Sequence, residues 1–581
     1  MRRNREAWGA WLALLLATPV MAGPDATADR VQKILATPGF EIGHWGVLVV
    51  DRGSGEVVFE HQADHLFVPA EVGQLFSAAA VLEGLGGDYR FQTPVHRRGD
   101  VGPDGTLHGD LILVAVGDPS LGGRTSPRDG SLLYRDVDHT RAGSTQGAML
   151  VEADPLAGLD HLAREVKAAG ITAITGEVIV DDRAFPEIAI DGGLPSKVSG
   201  IAVNDNVIDV VITPATEPGM PAGITTVPAL QFDATEARVD TVAEGDAPRI
   251  EIRREGARRV SIRGQVPVGH PPIVQVYEIE RPADYARAAF IEQLRGRGVR
   301  VPASPLSDNP SGRLPARAEV DALPKVAQYT SPPLREYVRV MLKVGHHAHA
   351  GLLPLVLPPA DEARTLANGL RRQGAILRQL GVPGEGMSLT SGVGTHRSDR
   401  LSPRAVVALL RAMQARPAAQ AFETALPVIG REGTALDIVA AESPARGHGR
   451  AHAGTAWTVD ETSGKPFLLS KALAGYLETA SGRDLVFAIF VNDVPSSGTT
   501  AERGVTNLSA SRVLGALCEA FYEDQQPPPQ PAAVSQARPR SRPADPPSPG
   551  RTTASPGRRP DAIEASGRTG RPHGAGRSRR S

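Results

Sequence analysis

The sequence predicts a mixed α/β (α+β) chain in which one α/β domain, assembled from both ends, is interrupted by a large, mainly β insertion. Two changes of texture predict it. Ala- and Leu-rich helical periodicity follows a hairpin near the start and returns from Ser331 onward. Between about Thr93 and Leu323, short β-branched runs alternate with turns instead. The boundaries that follow are 1–22 for an export signal and 23–92 plus 324–524 for the α/β domain. The insertion spans 93–323 and a tail spans 525–581.

Each element has a local reason. MRRNREAWGAWLALLLATPVMAGP begins with Arg2, Arg3 and Arg5, continues as an apolar run from Ala7 to Ala17, and ends in small residues around Ala22. That is the pattern of a cleavable secretory signal. Its eleven-residue run is too short to cross a bilayer core of about 30 Å, so a periplasmic protein is expected. Membrane contact is then confined to the uncleaved signal or to weak contact by the tail. GVLVVDRGSGEVVFEHQ reads as a hairpin, and AEVGQLFSAAAVLEGLG after Pro69 as a helix stopped by glycines. Within the insertion, GDLILVAVGDPSL, GEVIVDDRAF, NDNVIDVVITP and RRVSIRGQVPVG read as strands, with DHLAREVKAAG as the one helical segment. KALAGYLETASGRDLVFAIFVND supplies a late strand pair. SASRVLGALCEAFYED is helical and carries the only cysteine, Cys518. No intrachain disulfide can form, and a buried, inert thiol is expected.

The formal net charge of −2 argues against a general nucleic-acid binder. The charge is unevenly placed: the tail from Gln525 holds eleven Arg and three acids, about +8, leaving about −10 for the rest. Rich in Pro, Arg, Ser, Ala and Gly, the tail lacks the apolar content to offset ordering entropy, and disorder is expected there.

Several segments carry a resemblance when taken together: VPAEVGQLFSAAAVLEGLGGDYRF, GEVIVDDRAF, SGIAVNDNVIDVVITP, TSPPLREYVRVMLKVGHHAHAGLL, LPVIGREGTA and RAHAGTA, with the late strand pair. From about Gly46 to Phe521 the chain resembles the class C low-molecular-mass penicillin-binding proteins, the S13-type D-alanyl-D-alanine carboxypeptidases/endopeptidases. The resemblance implies a penicillin-recognising serine-transferase/β-lactamase-like domain with a large insertion after its first motif. It also implies three motifs around one cleft. Ser-x-x-Lys gives a nucleophile with its base one helical turn on, Ser-x-Asn assists proton transfer, and Lys-Thr-Gly binds the substrate carboxylate.

At those positions the working atoms are missing. The first motif reads Glu71-Val72-Gly73-Gln74, the second Gly345-His346-His347, and the third His452-Ala453-Gly454. The Ala-Glu expected after the second motif reads Ala350-Gly351. A shifted frame does not rescue the site, because Ser77 is followed three residues on by Ala80. Losing even one member of an acylating unit costs about 10⁴-fold or more. The expectation is a pseudoenzyme without a cofactor, acting in peptidoglycan metabolism as a scaffold for a stem peptide or a cell-wall protein. Glu71 is expected to complement the macrodipole of its helix. It is also expected to repel a peptide carboxylate by about 1–4 kcal/mol at 4 Å, with His452 mostly neutral beside it.

An alternative uses the same positions. Glu71, His347 (or His346) and His452 form a plausible zinc or iron ligand set for residual or metal-assisted cell-wall peptide hydrolysis, with His349 and His448 as outer supports. The remaining segments read as structure. SGIAVNDNVIDV reads as a turn entering a strand of the insertion, and the resemblance places it outside the cleft. TSGVGTHRSDR stands where the resemblance implies an Asp-Gly-Ser-Gly turn at the cleft edge, keeping Ser391 and Gly392 with Leu389 and Thr390 in place of Asp-Gly. LPVIGREGTA is a loop that supports the fold.

Overall fold

The computed structural model describes residues 24–142, 147–359, 361–495 and 505–524. The expected export signal and the basic tail lie outside the described residues. Among the described residues no helix is long and apolar enough to cross a membrane.

Strands from the two chain ends build one antiparallel sheet of five. Its order is Gly449–Asp460, Lys465–Glu478, Asp484–Pro495, His44–Asp51 and Val57–His61. The hairpin read from GVLVVDRGSGEVVFEHQ is its edge, and Val47 pairs with Ile489 to join the first strand to the last. Both faces are covered, so alternation along a strand sorts residues between two cores rather than between core and water. Val47, Val49, Phe487 and Ile489 pack with Leu514, Cys518 and Phe521 of the helix Asn507–Tyr522. Leu48, Val50, Ala488 and Phe490 face a second core built by the helices Gln74–Gly84, Leu334–Val344 and Pro403–Gln414. Cys518 is fully buried, and that burial pushes its thiol up to about 12.

A third core holds the β-rich middle of the chain. It gathers residues of the strands Gln92–Val101, Thr106–Val114, Val207–Thr213 and Arg259–Pro267 around the helices Ala157–Ala168 and Pro282–Gly296. The second of these helices corrects the sequence reading, which found only the DHLAREVKAAG segment. It starts on Arg281 without a side-chain cap, relying on Pro282 at the first helical position. Tyr285, Ala289, Phe290 and Leu294 bury one face of it.

Candidate functional site

Three segments distant in sequence converge where the motifs were read. Ala70–Gly73 forms a short 3-10 turn that leads into the helix Gln74–Gly84. The strand Gly449–Asp460 presses on this turn, and a Cβ at Gly454 would lie 2.5 Å from the Glu71 backbone nitrogen. From the other side, Gly394 approaches so closely that its Cβ would lie 2.3 Å from Ala70 O. Glycine at these two positions is therefore what lets the elements close around Glu71.

Glu71 is 3 % exposed, and its carboxylate is held by three groups. Arg141 Nη2 donates to Oε1 at 3.0 Å, His347 Nε2 lies 3.2 Å from the same oxygen, and Thr455 N–H donates to Oε2 at 2.6 Å. Burial alone would raise the carboxyl. The His347 contact, the charges of Arg141 and His347, and the Thr455 N–H together hold it well below the ordinary 4.5. This corrects the expectation that Glu71 is set by a helix dipole and presents open negative charge to a peptide. It is a buried, neutralised ion locked by specific partners. The cleft beside it encloses about 720 Å³, lined in part by Glu71, Arg141, His347, Thr395, Trp457 and Asn507. A larger cavity of about 1060 Å³ lies elsewhere, around Arg90, Arg183 and Arg364, and no motif position lines it.

The other motif positions have structural roles. Gln74 is fully buried, and neither amide atom has a hydrogen-bond partner. An unpaired buried amide costs about 1–3 kcal/mol, so Gln74→Met should raise stability by that order in chemical denaturation. An unchanged or lower midpoint would contradict this reading of Gln74. Ser77 is also fully buried, and it donates to Gly392 O at 2.8 Å. Gly345 ends the helix Leu334–Val344 with φ +67°, and its carbonyl accepts from Arg141 Nη2 at 3.2 Å. A Cβ there would lie 2.9 Å from that Arg141 nitrogen, so glycine suits this left-handed cap where serine would not. Ala453 N–H donates to Thr434 Oγ1 at 3.2 Å, which ties the strand Gly449–Asp460 to the LPVIGREGTA loop. In the same loop Glu432 pairs with Lys343.

The four candidate metal ligands do not share one centre. Glu71 and His347 meet, but His346 turns toward Asp205, with Nε2 3.3 Å from Oδ1. His452 is fully buried and directs Nδ1 to Leu342 O at 2.8 Å. Burial lowers it to about 4, partly offset by Glu71, so it is neutral at pH 7. His448 packs against Tyr522 instead of supporting His452. The segment SGIAVNDNVIDV does lead into the strand Val207–Thr213, as read. Its turn, however, reaches the second motif, where Asp205 lies beside His346 and His349.

Sequence reasoning missed Arg141, Thr455 and Lys471. Lys471 is 3 % exposed on the strand next to Thr455, and its Nζ donates to Thr455 Oγ1 at 2.8 Å and to Asn507 Oδ1 at 3.2 Å. Burial lowers its ammonium to about 8, with Glu71 opposing. A lone lysine inside the apolar run LLSKALAGY was the available signal. Arg141 had none, since it lies in the three-residue 3-10 turn His139–Arg141, too short to show a periodic pattern.

Residues 27–511 match the family described as D-Ala-D-Ala carboxypeptidase 3 (S13). A D-alanyl-D-alanine carboxypeptidase of Actinomadura sp. is 29 % identical over 508 residues, covering 83 % of this chain and 84 % of the relative. The D-alanyl-D-alanine carboxypeptidase DacB of Haemophilus influenzae is 20 % identical over 503 residues, covering 83 % of this chain and 91 % of its own. The crystal structure of penicillin binding protein 4 from Haemophilus influenzae superposes with a TM-score of 0.61 at 18 % identity, covering 85 % of this chain and 99 % of that one. That likeness establishes the fold.

Proposed function

The chain belongs to the D-Ala-D-Ala carboxypeptidase 3 (S13) family, and from that premise we propose an exported cell-wall protein that binds without acylating. Its ligand is a peptidoglycan stem peptide or a cell-wall protein. One observation carries the proposal. The side chain at the position of the family's nucleophile is a carboxylate, already bonded to Arg141, His347 and Thr455 N–H. An ionised carboxylate whose oxygens already accept from three donors is a poor nucleophile, and acyl transfer to it would give a labile mixed anhydride rather than the ester that a serine forms. Gln74 supplies no base, and His452 is sealed from the cleft.

Binding is supported by what the cleft keeps. Arg141 remains about one-third exposed along one wall, and Lys471 adds positive charge near Thr455. Together they offset Glu71 and leave a surface that a peptide carboxylate can approach. Export is supported by the Arg2–Ala22 segment. The test is calorimetric titration with a D-Ala-D-Ala-terminated pentapeptide, followed by chromatography of the same mixture. Reversible heat of binding with the pentapeptide intact is expected. Release of D-alanine above the rate of buffer would overturn the proposal.

A further inference from the structure

We propose that Asp205, His346 and His349 form a site for one divalent ion of the zinc class, buried behind the cleft and separate from the Glu71–His347 pair. Among the described residues these three are a group whose donor atoms all lie within 4.8 Å of one another. All three are buried, at 3 %, 2 % and 1 % exposure. Asp205 Oδ1 lies 3.3 Å from His346 Nε2 and 3.4 Å from His349 Nε2. A tetrahedral ion with ligands at about 2.0–2.2 Å holds neighbouring donor atoms at about that separation.

Orientation distinguishes this arrangement from ordinary hydrogen bonding. In spite of the short approaches, Asp205 Oδ1 has no hydrogen-bond partner, and neither does either nitrogen of His349. The two imidazoles are stacked, with ring centroids 3.8 Å apart, and both turn Nε2 to the same oxygen. A cation seated among the three donor atoms would satisfy Asp205 Oδ1 and one His349 nitrogen, which are buried without a hydrogen-bond partner.

The surroundings fix the carboxylate for that role. Asp205 Oδ2 is taken by Arg124 Nη2 at 2.7 Å and His139 Nε2 at 3.0 Å, which leaves Oδ1 as the single inward donor. The backbone is committed as well. Asn204, Asp205 and Asn206 have φ of 51°, 51° and 56°, a run in a region that residues other than glycine seldom occupy. Asn206 Oδ1 accepts from Val203 N–H at 3.1 Å, and Asn204 Nδ2 donates to Asp209 Oδ2 at 2.8 Å. His346 caps the helix His347–Val356, which places His349 three residues on along the same face. Small cavities of about 30 and 10 Å³ border Asp205, room for an ion and at most one or two waters.

Loading requires two adjustments. His346 Nδ1 accepts from His349 N–H at 3.3 Å, and Arg124 Nη2 lies 3.3 Å from His346 Nε2. Both contacts are long. Ligation through Nε2 moves the His346 ring proton to Nδ1 and releases them. The ion would then fasten the Asn204–Asn206 turn to the helix that presents His347, a structural role unlike the hydrolytic one considered for Glu71, His347 and His452.

The experiment uses the full chain, stripped with chelator, incubated with excess Zn²⁺ and desalted, with metal counted by plasma mass spectrometry. One equivalent is expected. Co²⁺ in its place should give the intense visible bands of a tetrahedral ion. His349→Ala and Asp205→Asn should lose metal by more than the roughly 10–100-fold that removing an outer partner costs, while His347→Gln retains it. Wild-type protein holding well below one equivalent, a pale octahedral cobalt spectrum, or loss of metal in His347→Gln alone would each overturn the proposal. The wild-type stoichiometry and cobalt spectrum decide the matter even if the variants fail to fold. None of these readouts depends on whether the cleft acylates.

Discussion

Replacing Arg124 with methionine should destabilise the protein by about 3–5 kcal/mol, the cost of removing one partner from a buried ion pair. The Arg124 guanidinium bonds Asp138 through Nη1 and Nη2 at 2.7 and 2.9 Å, and Asp205 through Nε at 2.9 Å. Its side chain and both carboxylates are at most 3 % exposed. Without it, two aspartates stay buried with histidines, backbone groups and the Thr140 hydroxyl to offset them, and no arginine. Denaturant unfolding checks the magnitude. A loss under 1 kcal/mol would mean that water reaches this cluster, and that Asp138 and Asp205 are solvated.

This cluster marks the limit of what was legible in the sequence. The hairpin, the helix after Pro69 and the buried Cys518 helix all follow from local periodicity, and the structure has each of them. The helix Pro282–Gly296 escaped because Arg281 is not a recognisable cap and its buried residues include Asp284 and Arg287, which blur the apolar periodicity. The site was half legible. The frame identified Glu71, Gln74 and His452 as altered positions, but not what the replacements do. Glu71 is satisfied by residues 70, 276 and 384 positions away. Such pairings are set by topology, and no local pattern encodes them. Arg124, Asp138 and Asp205 fail to show for the same reason, in loops whose composition reads as ordinary turn.

Acid should weaken the protein in two stages. His452 has its folded value lowered to about 4 from 6.5, so the unfolded chain binds the extra proton between those values. Its contribution is therefore complete above pH 6.5 and lost as pH falls toward 4, amounting to about 3 kcal/mol. Glu71 is depressed below 4.5, so its contribution is complete above that pH and erodes only below it. His452→Met should reduce the upper stage, which His346 shares because burial lowers it to about 4 as well, and Glu71→Gln should reduce the lower one, which the depressed carboxyls of Asp138 and Asp205 share, in melting curves collected across the acid range. A single stage that survives both substitutions would assign the acid sensitivity to other groups.

The most direct measurement of the central claim is intact-mass spectrometry of the full chain after prolonged exposure to a fluorescent penicillin. Wild-type protein should gain no covalent mass, and Glu71→Ser/Gln74→Lys should stay unlabelled or nearly so, because Gly345, His347 and His452 still lack the remaining groups. A stoichiometric adduct on the wild-type chain, mapped to any residue, would contradict the account.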